Sequence, residues 1–401
     1  MIEIEEAWAL IAGAARPLPS EIRPLRDAIG RIGAEPVRSP LDLPGFDRSA
    51  MDGYAVRAAD TAPGSPPLRL VGAVAAGEDA SVSVGPGEAA GITTGAALPP
   101  GADAVLRSEL AALDDEGHHV TPAEPLSEGR FVRFRGEDVR AGDVLLEAGA
   151  PITLGRLSVL ASAGVNGVTV RRPARVHLLT TGDELVPAGA PLGPGQIHDS
   201  NGPVLAELAR RAGAEVVDHG AAPDDPEAIA AKIRAALGEA DVLLISGGVS
   251  VGEHDHVKPV LSAEGVAELF WRVRIKPGKP VFCGTHGEGF VFGLPGNPLS
   301  VVVCFLAFVA PLLRLLQGGP QDGAIGLLPG RLAAPADAAD RRTTFLTARL
   351  HRAEDGVLEA TPTTRQGSHM TGALAEADGF AVIPHGDAPL GAGARVGVLP
   401  L

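Results

Sequence analysis

Residues 176–185, VHLLTTGDEL, join a short apolar run to a polar turn with a glycine and two carboxylates. The pattern returns at residues 242–255, which read VLLISGGVSVGEHD. Apolar residues recur at helical spacing between the two runs, over 202–212 and 227–237. Strand-like runs that alternate with helical stretches indicate a doubly wound α/β domain with parallel strands and helical crossovers.

Polar turns follow four of the predicted strands in this part of the chain. Glu184, Asp224, Gly247 and Asn297 lie in these four turns. Ligands of open α/β sheets bind beyond the carboxyl ends of the strands, so we expect the turns to converge on one rim. The predicted strands are Val176–Thr180, Ala214–His219, Val242–Ser246, Val281–Cys283 and Phe290–Phe292, and a helix begins at Pro298.

The rest of the chain divides into a helical part and two β parts. Helical spacing predicts helices over Ile4–Ala15, Pro24–Ile32 and Leu154–Ala163. Short β-like pieces separated by turns are predicted at Leu68–Ala75, Ala89–Thr94, Ala104–Ser108 and Arg130–Phe134, and again after Gly318. We predict a discontinuous helical domain (1–40 and 139–173), an inserted β domain (41–138), the α/β domain (174–318) and a C-terminal β domain (319–401).

Composition and charge narrow the class of protein. The 401 residues carry a net charge of −15, which argues against binding to nucleic acid or to an anionic membrane surface. Two cysteines form no disulfide framework, and the acidic N-terminus lacks the features of a signal peptide, so we expect a cytoplasmic protein. The apolar run Leu299–Leu316 contains a proline and an arginine and predicts a buried helix instead of a membrane span.

Three features of the predicted rim could hold oxyanions. The glycines after Ser246, with Gly252, could bring backbone N–H groups close to a phosphate, although they could equally form an ordinary turn. Lys276 and Lys279 place two ammonium groups on a proline-rich turn, which could instead be solvated. Asn297 and Pro298 begin a helix whose amides, with the Ser300 hydroxyl, could bind a small oxyanion, or they could simply cap it.

Carboxylates lie at the same predicted rim. Glu184, Asp199, Asp224 and Asp255 could each be ordinary surface groups of an acidic chain. Beside a phosphate they would need a bridging divalent cation such as Mg²⁺. The sequence His254-Asp255-His256 is a weak indication of zinc because no third spaced ligand accompanies it.

A further segment, GFDRSAMDGYAV at residues 45–56, is rich in turn residues, and its chemistry alone does not decide between a structured loop and a ligand lid. Together with six other motifs it resembles the molybdopterin molybdenumtransferases, the molybdenum insertase family also found as the C-terminal region of gephyrin. The motifs are PGFDRSAMDGYA (44–55), TGA (94–96), TGDEL (181–185), DSN (199–201), SGGVSVG (246–252), KPGKP (276–280) and LPGNP (294–298), with a weaker QGS (366–368).

The resemblance implies a four-domain fold that ends in a C-terminal β barrel. It further implies a cytoplasmic homodimer that takes adenylylated molybdopterin and molybdate, releases AMP with the help of Mg²⁺, and forms its site from both subunits. Molybdopterin adenylyltransferase and molybdoenzyme maturation proteins are the implied partners. Two alternatives remain: a molybdopterin adenylyltransferase, whose fold resembles the central domain, and a non-catalytic dimeric scaffold.

Site residues are carried over from the matching motifs. Asp52, Glu184, Asp224 and Asp255 are the expected catalytic residues, and the last three are also the expected Mg²⁺ ligands. The expected substrate-binding residues are Thr94, Asp199, Asn201, Ser246, Gly247, Gly248, Lys276, Lys279, Pro295, Asn297, Pro298, Ser300, Arg342 and Ser368.

Overall fold

The computed structural model describes residues 1–249, 255–320, 325–336, 341–386 and 388–401. The predicted cradle residue Gly252 and the histidine at 254 therefore lie outside the described residues. Three six-stranded sheets and several two-stranded ribbons make up the β structure of the described residues.

The central sheet contains four parallel strands and a hairpin at one edge. In spatial order the strands are Glu215–Ala222, Arg175–Thr181, Val242–Ser246, Gly289–Leu294, Phe282–His286 and Ala267–Trp271. The last two run antiparallel to their neighbours, so the prediction of parallel strands throughout was wrong for the strand expected at Val281–Cys283. Only two residues separate Phe282–His286 from Gly289–Leu294, and a parallel pair needs a much longer crossover.

Strand Val242–Ser246 is buried along its whole length because helices cover both faces of the sheet. Leu243 and Ile245 pack into the core on one face, and Val242 and Leu244 pack into the core on the other. The flanking helices are Asn201–Arg211, Pro226–Leu237, Val257–Ala263 and the long helix that begins at Pro298. This arrangement fixes the carboxyl ends of the parallel strands along one edge.

The long helix is α-helical over Pro298–Cys304, π-helical over Phe305–Val309 and α-helical again over Ala310–Leu316. The π-helical segment ends two residues before Pro311, which has no N–H to continue an α-helical ladder. Among the described residues this helix alone has the length and apolar composition of a membrane span, with a mean hydropathy of 2.5. In the structure 83% of it is buried, as expected of a core helix.

Helix Ile4–Ala14 buries its apolar side chains in the core of the central domain. Helix Leu154–Ser162 packs on the strand Val144–Leu146 in a separate core. The helix predicted over Pro24–Ile32 was wrong: only a 3₁₀ turn, Leu25–Asp27, forms there. The residues just before this 3₁₀ turn form a strand. Strand Ser20–Pro24 pairs with Gly167–Arg171, and Val37–Arg38 pairs with Val144–Leu146.

The inserted β domain is a second six-stranded sheet. Its strands, in spatial order, are Ala104–Arg107, Gly53–Val56, Glu88–Ile92, Leu68–Val74, His119–Pro122 and Ala111–Leu113, with 3₁₀ turns at Ala58–Thr61 and Ser108–Leu110. The piece predicted at Arg130–Phe134 contributes only Val132–Arg133, which pairs with Arg48–Ser49 in a separate ribbon.

The C-terminal sheet closes into a five-stranded barrel. In spatial order its strands are Thr343–Arg352, Leu358–Pro362, Leu328–Leu332, Arg395–Pro400 and Gly379–Ile383, and the last pairs with the first. A short helix, Thr371–Glu376, packs near the barrel. Ile275–Lys276 of the central domain pairs in parallel with the start of the first barrel strand, which ties the lysine turn to the barrel.

Candidate active site

A cavity of about 750 Å³ opens at the carboxyl ends of the parallel strands. All four predicted polar turns contribute to its wall. Of the predicted site residues, the wall contains Glu184, Asp199, Asn201, Asp224, Ser246, Gly247, Gly248, Asp255, Pro295, Asn297 and Pro298. We call this space the carboxylate cavity.

The turn after Val242–Ser246 requires glycine at two consecutive positions. Gly247 and Gly248 have φ of +102° and +65°. A Cβ on Gly247 would lie 2.6 Å from the Thr181 carbonyl oxygen, and a Cβ on Gly248 would lie 2.6 Å from a Val257 methyl group. Glycine therefore lets this backbone pack closely against the neighbouring turn and helix.

Asn201, at the start of helix Asn201–Arg211, links two of the turns. Its Nδ2 donates to the Ser246 hydroxyl at 3.0 Å and to the Gly296 carbonyl oxygen at 2.7 Å. The carboxylate of Asp199 accepts hydrogen bonds from the Thr180 hydroxyl at 2.8 Å and from the Asn201 N–H at 2.9 Å. The polar groups of both side chains are thus engaged in fixing the wall of the carboxylate cavity.

A hydrogen bond joins the turns that carry Glu184 and Asp224. Glu184 folds back over Gly182, where a Cβ would collide with its carboxylate. Asp183, which the sequence reasoning missed, accepts a hydrogen bond from the Asp224 N–H at 3.0 Å and so positions the neighbouring turn. Within the described ranges, no three His, Cys, Asp or Glu side chains are close enough together to hold a metal ion.

A second cavity of about 620 Å³, the lysine cavity, adjoins the first. The two share Pro280, Pro295 and Asn297. The predicted residues that line the lysine cavity are Lys276, Lys279, Asn297, Pro295, Ser300, Arg342 and Ser368. The structure therefore brings the predicted oxyanion-binding residues together, beside the predicted carboxylates.

The lysine turn is held against the long helix by close packing. Gly278, with φ of +115°, leaves no room for a side chain, since a Cβ would lie 2.5 Å from the Cys304 sulfur. Burial raises the pKa of the Cys304 thiol, so that the sulfur is an inert packing group. Neither Lys276 nor Lys279 is buried, and both ammonium groups remain available to an anion.

The start of the long helix differs from simple capping. Asn297 occupies the N-cap position, but its side chain makes no capping hydrogen bond. Its Nδ2 donates instead to the Ser368 hydroxyl at 3.0 Å, and the Ser368 carbonyl oxygen accepts from the Leu299 N–H at 3.1 Å. A loop of the C-terminal domain thus satisfies an N–H group of the first helical turn.

Asp52 and Thr94 lie in the inserted domain and line neither cavity. The Thr94 N–H donates to the Asp52 carboxylate at 2.7 Å. Gly53 lies so close to the neighbouring strand that a Cβ would collide with the Leu106 carbonyl oxygen. The loop that carries Asp52 is therefore fixed within its own domain.

Two residues of the C-terminal domain, His369 and Thr371, line the carboxylate cavity and were not predicted. They follow Ser368, whose motif was the only available signal. His198, on a short ribbon of Leu185–Val186 with Ile197–His198, is a third lining residue that was missed.

Comparisons with known proteins agree with this architecture. Three family models match the chain: the MoeA N-terminal region (domain I and II) over residues 2–164, a probable molybdopterin binding domain over 177–315, and the MoeA C-terminal region (domain IV) over 329–401. The matches cover each major part of the chain.

Individual relatives match over nearly their whole length. The molybdopterin molybdenumtransferase of Haemophilus influenzae is 38% identical, covering 96% of this chain and 94% of that protein. That of Nostoc is 37% identical, covering 95% and 89%. A solved structure of the molybdopterin biosynthesis MoeA protein from Pyrococcus horikoshii superposes with a TM-score of 0.84 at 35% identity, covering 100% of this chain and 99% of that one. This chain belongs to the molybdopterin molybdenumtransferase family.

Proposed function

We propose that this chain inserts molybdenum from molybdate into adenylylated molybdopterin and releases AMP. The observation that carries this proposal is the junction of the two cavities at Pro295 and Asn297. A glycine-rich, carboxylate-bearing space suits a phosphorylated pterin, and an adjoining space with two lysines suits a tetrahedral dianion.

Magnesium fits the donors of the carboxylate cavity. Glu184, Asp224 and Asp255 offer the hard oxygen ligands that Mg²⁺ prefers. Mg²⁺ is commonly held by one or two carboxylates together with substrate phosphates and water. One or two of these three carboxylates would hold the ion, which would neutralise phosphate charge and polarise a phosphoryl oxygen.

The remaining predicted residues bind molybdate or keep the walls of the cavities in place. Lys276, Lys279 and Ser300 bind molybdate oxygens, with Arg342 and Ser368 at the barrel side of the same cavity. Asn201 and Asp199 keep the walls of the carboxylate cavity in place for the pterin.

The active unit is a homodimer with a site shared between subunits. Asp52 and Thr94 line neither cavity of their own chain, which supports their delivery to the partner's carboxylate cavity. The protein works in the cytoplasm, between a molybdopterin adenylyltransferase that supplies its substrate and the maturation proteins of molybdoenzymes.

The alternative of an adenylyltransferase is not favoured, because family models match the N-terminal and C-terminal regions as well as the central domain. A decisive experiment incubates the purified protein with adenylylated molybdopterin, Mg²⁺ and molybdate and measures AMP and molybdenum cofactor. We expect both products to form. Adenylylation of free molybdopterin would instead identify the protein as an adenylyltransferase. If neither substrate is turned over, the protein is a non-catalytic scaffold.

A further inference from the structure

Three arginines of the inserted domain lie on the loop that carries Asp52 or on backbone segments that adjoin it. Arg48 begins the loop, Arg107 pairs in register with Gly53, and Arg130 precedes the strand Val132–Arg133, which pairs with Arg48–Ser49. We call Arg48, Arg107 and Arg130 the arginine cluster. These three basic residues thus adjoin, along the backbone, a loop whose Asp52 is expected to act on the substrate.

The side chains of the arginine cluster have no ion-pair partner among the described residues, although acidic residues outnumber basic ones 49 to 34. Two other arginines near this domain form ion pairs: Arg57 with Asp60, and Arg135 with Asp42. A patch of positive charge left unneutralised in an acidic protein is suited to an anion from outside the chain.

Two members of the cluster also retain buried donors. The Nε atoms of Arg48 and Arg107 are both buried and have no hydrogen-bond partner. An unsatisfied buried donor loses its hydrogen bond to water without a replacement, and this loss destabilises the fold more when the group is charged. Such exceptions in a folded protein require an explanation, and a functional role is one that fits a position beside Asp52.

The ring of Phe131 contacts the guanidinium groups of two of these arginines. The guanidinium carbon of Arg107 lies 5.3 Å from the centre of its ring, and that of Arg130 lies 4.2 Å away. Phe131 itself has a φ of +56°, a strained conformation for a bulky residue. Its carbonyl oxygen accepts a hydrogen bond from the Ala50 N–H at 2.9 Å. The strained residue therefore connects the arginine cluster to the Asp52 loop.

We propose that the arginine cluster is a binding site for a phosphate oxyanion. Its natural occupant would be the pyrophosphate group of adenylylated molybdopterin bound in the partner's carboxylate cavity, to which the Asp52 loop is proposed to be delivered. The identity of that occupant rests on the proposed function. Arginine presents a planar fork of N–H donors that matches phosphate oxygens in pairs, and the positive charge offsets the repulsion between phosphate and the Asp52 carboxylate. The cluster thus binds phosphate, and Lys276 and Lys279 bind molybdate.

The test uses inorganic pyrophosphate as the probe and measures its affinity by calorimetry. Because the lysine turn also attracts anions, every protein carries Lys276→Ala and Lys279→Ala. We expect Arg130→Gln and Arg107→Gln each to weaken pyrophosphate binding by roughly 10- to 100-fold, since each removes a charge-assisted contact. The matched control is Arg69→Gln, in the same domain but ion-paired with Glu88, which should bind as the parent does.

A second readout separates binding from stability. With the lysines intact, Arg130→Gln should raise the KM for adenylylated molybdopterin and leave the molybdate dependence unchanged, which a merely structural defect would not do. Arg130 is exposed, so this variant is expected to fold even if Arg107→Gln does not.

Two results would overturn the proposal: no pyrophosphate binding by the parent protein, or unchanged affinity in Arg130→Gln with a normal thermal midpoint. The proposed function fails separately. If pyrophosphate binding depends on the arginine cluster but the protein never inserts molybdenum, the anion site is confirmed and the proposed function is wrong. If the arginine variants insert molybdenum normally with an unchanged KM for adenylylated molybdopterin, the proposed function is confirmed and the arginine cluster is not a substrate-binding site.

Discussion

Asn297 donates a hydrogen bond from its side-chain amide to the Ser368 hydroxyl at 3.0 Å and so joins the central domain to the C-terminal domain at the point where the two cavities meet. The Ser368 carbonyl oxygen adds a second link through the Leu299 N–H. The shape of the boundary between the cavities thus depends on a contact between residues 71 positions apart.

Replacing Asn297 with alanine tests this link. Asn297→Ala removes one side-chain hydrogen bond, which typically contributes about 1 kcal/mol, so we expect substrate affinities to fall by roughly fivefold with kcat largely retained. The measurement is the KM for molybdate and for adenylylated molybdopterin. Asn166→Ala, in the N-terminal part of the chain, is the matched control. Unchanged KM values for both substrates would show that the contact does not shape the cavities.

Lys279→Ala should raise the molybdate concentration needed for insertion. A charge-assisted contact contributes about 1.5–3 kcal/mol, so the half-saturating concentration should rise roughly 10- to 100-fold while pterin binding stays nearly constant. Arg26→Ala removes an equal charge at a distant exposed position and serves as the control. If the half-saturating molybdate concentration is unchanged in Lys279→Ala, Lys279 does not bind molybdate.

Chelation tests the role proposed for Mg²⁺. EDTA should stop AMP release and added Mg²⁺ should restore it, because Glu184, Asp224 and Asp255 would otherwise repel the pyrophosphate. The readout is AMP formed per chain, with thermal stability measured in parallel to exclude unfolding. Full turnover in metal-free buffer would show that the reaction does not need Mg²⁺ and that these three carboxylates do not act as its ligands.

Sequence patterns predicted the central domain best where one strong local signal sufficed. Strand Val242–Ser246 was predicted with its observed bounds, since a continuous apolar run ends at two glycines. The helix expected over Pro24–Ile32 failed because the strand Ser20–Pro24 pairs with residues about 150 positions later, and this long-range pairing overrides local spacing.

The same limit applies to the site. Motifs placed Glu184 and Asn297 on one rim, since turns after parallel strands must meet there. His369 and Thr371 reach the carboxylate cavity only because the C-terminal barrel folds back over the helix that begins at Pro298. No pattern of residues near His369 indicates that the barrel contacts this helix. His369 could therefore not be predicted as a site residue from the sequence.

Acid should weaken the folded state through His177. Its pKa is lowered from the ordinary 6.5, first by burial and then by the neighbouring His219, whose Nε2 lies 3.0 Å from the His177 Nδ1. Arg175 lowers it further, whereas Glu239 and Asp241 act in the opposite direction. The unfolded chain then binds a proton that the folded chain does not, so stability falls as the pH drops below 6.5 and is unaffected above it.

The measurement is the thermal midpoint of the central domain above and below pH 6.5, for the parent protein and for His177→Gln. The variant cannot take up this proton, so its midpoint should fall less on the acid side. An equal fall in both proteins would assign the acid sensitivity to other groups.

The last prediction concerns the shared site. Asp52 lies in the inserted domain and lines neither cavity of its own chain, whereas Glu184 lines the carboxylate cavity. A twofold dimer contains two such composite sites by symmetry. Mixing Asp52→Ala subunits with Glu184→Ala subunits should therefore give heterodimers with one doubly damaged site and one intact site, although each parent dimer is inactive.

Each heterodimer should show about half the activity of the wild-type dimer, because one of its two symmetry-related sites is whole. Subunit exchange is verified by native mass spectrometry, and mixtures of each variant with itself provide the background. Mixing two variants of the same cavity, Glu184→Ala and Asp224→Ala, is the matched control: both damage the carboxylate cavity of their own chain, so no heterodimer site is whole. If verified Asp52/Glu184 heterodimers stay as inactive as the parents, Asp52 acts within its own chain or the subunits pair in another way.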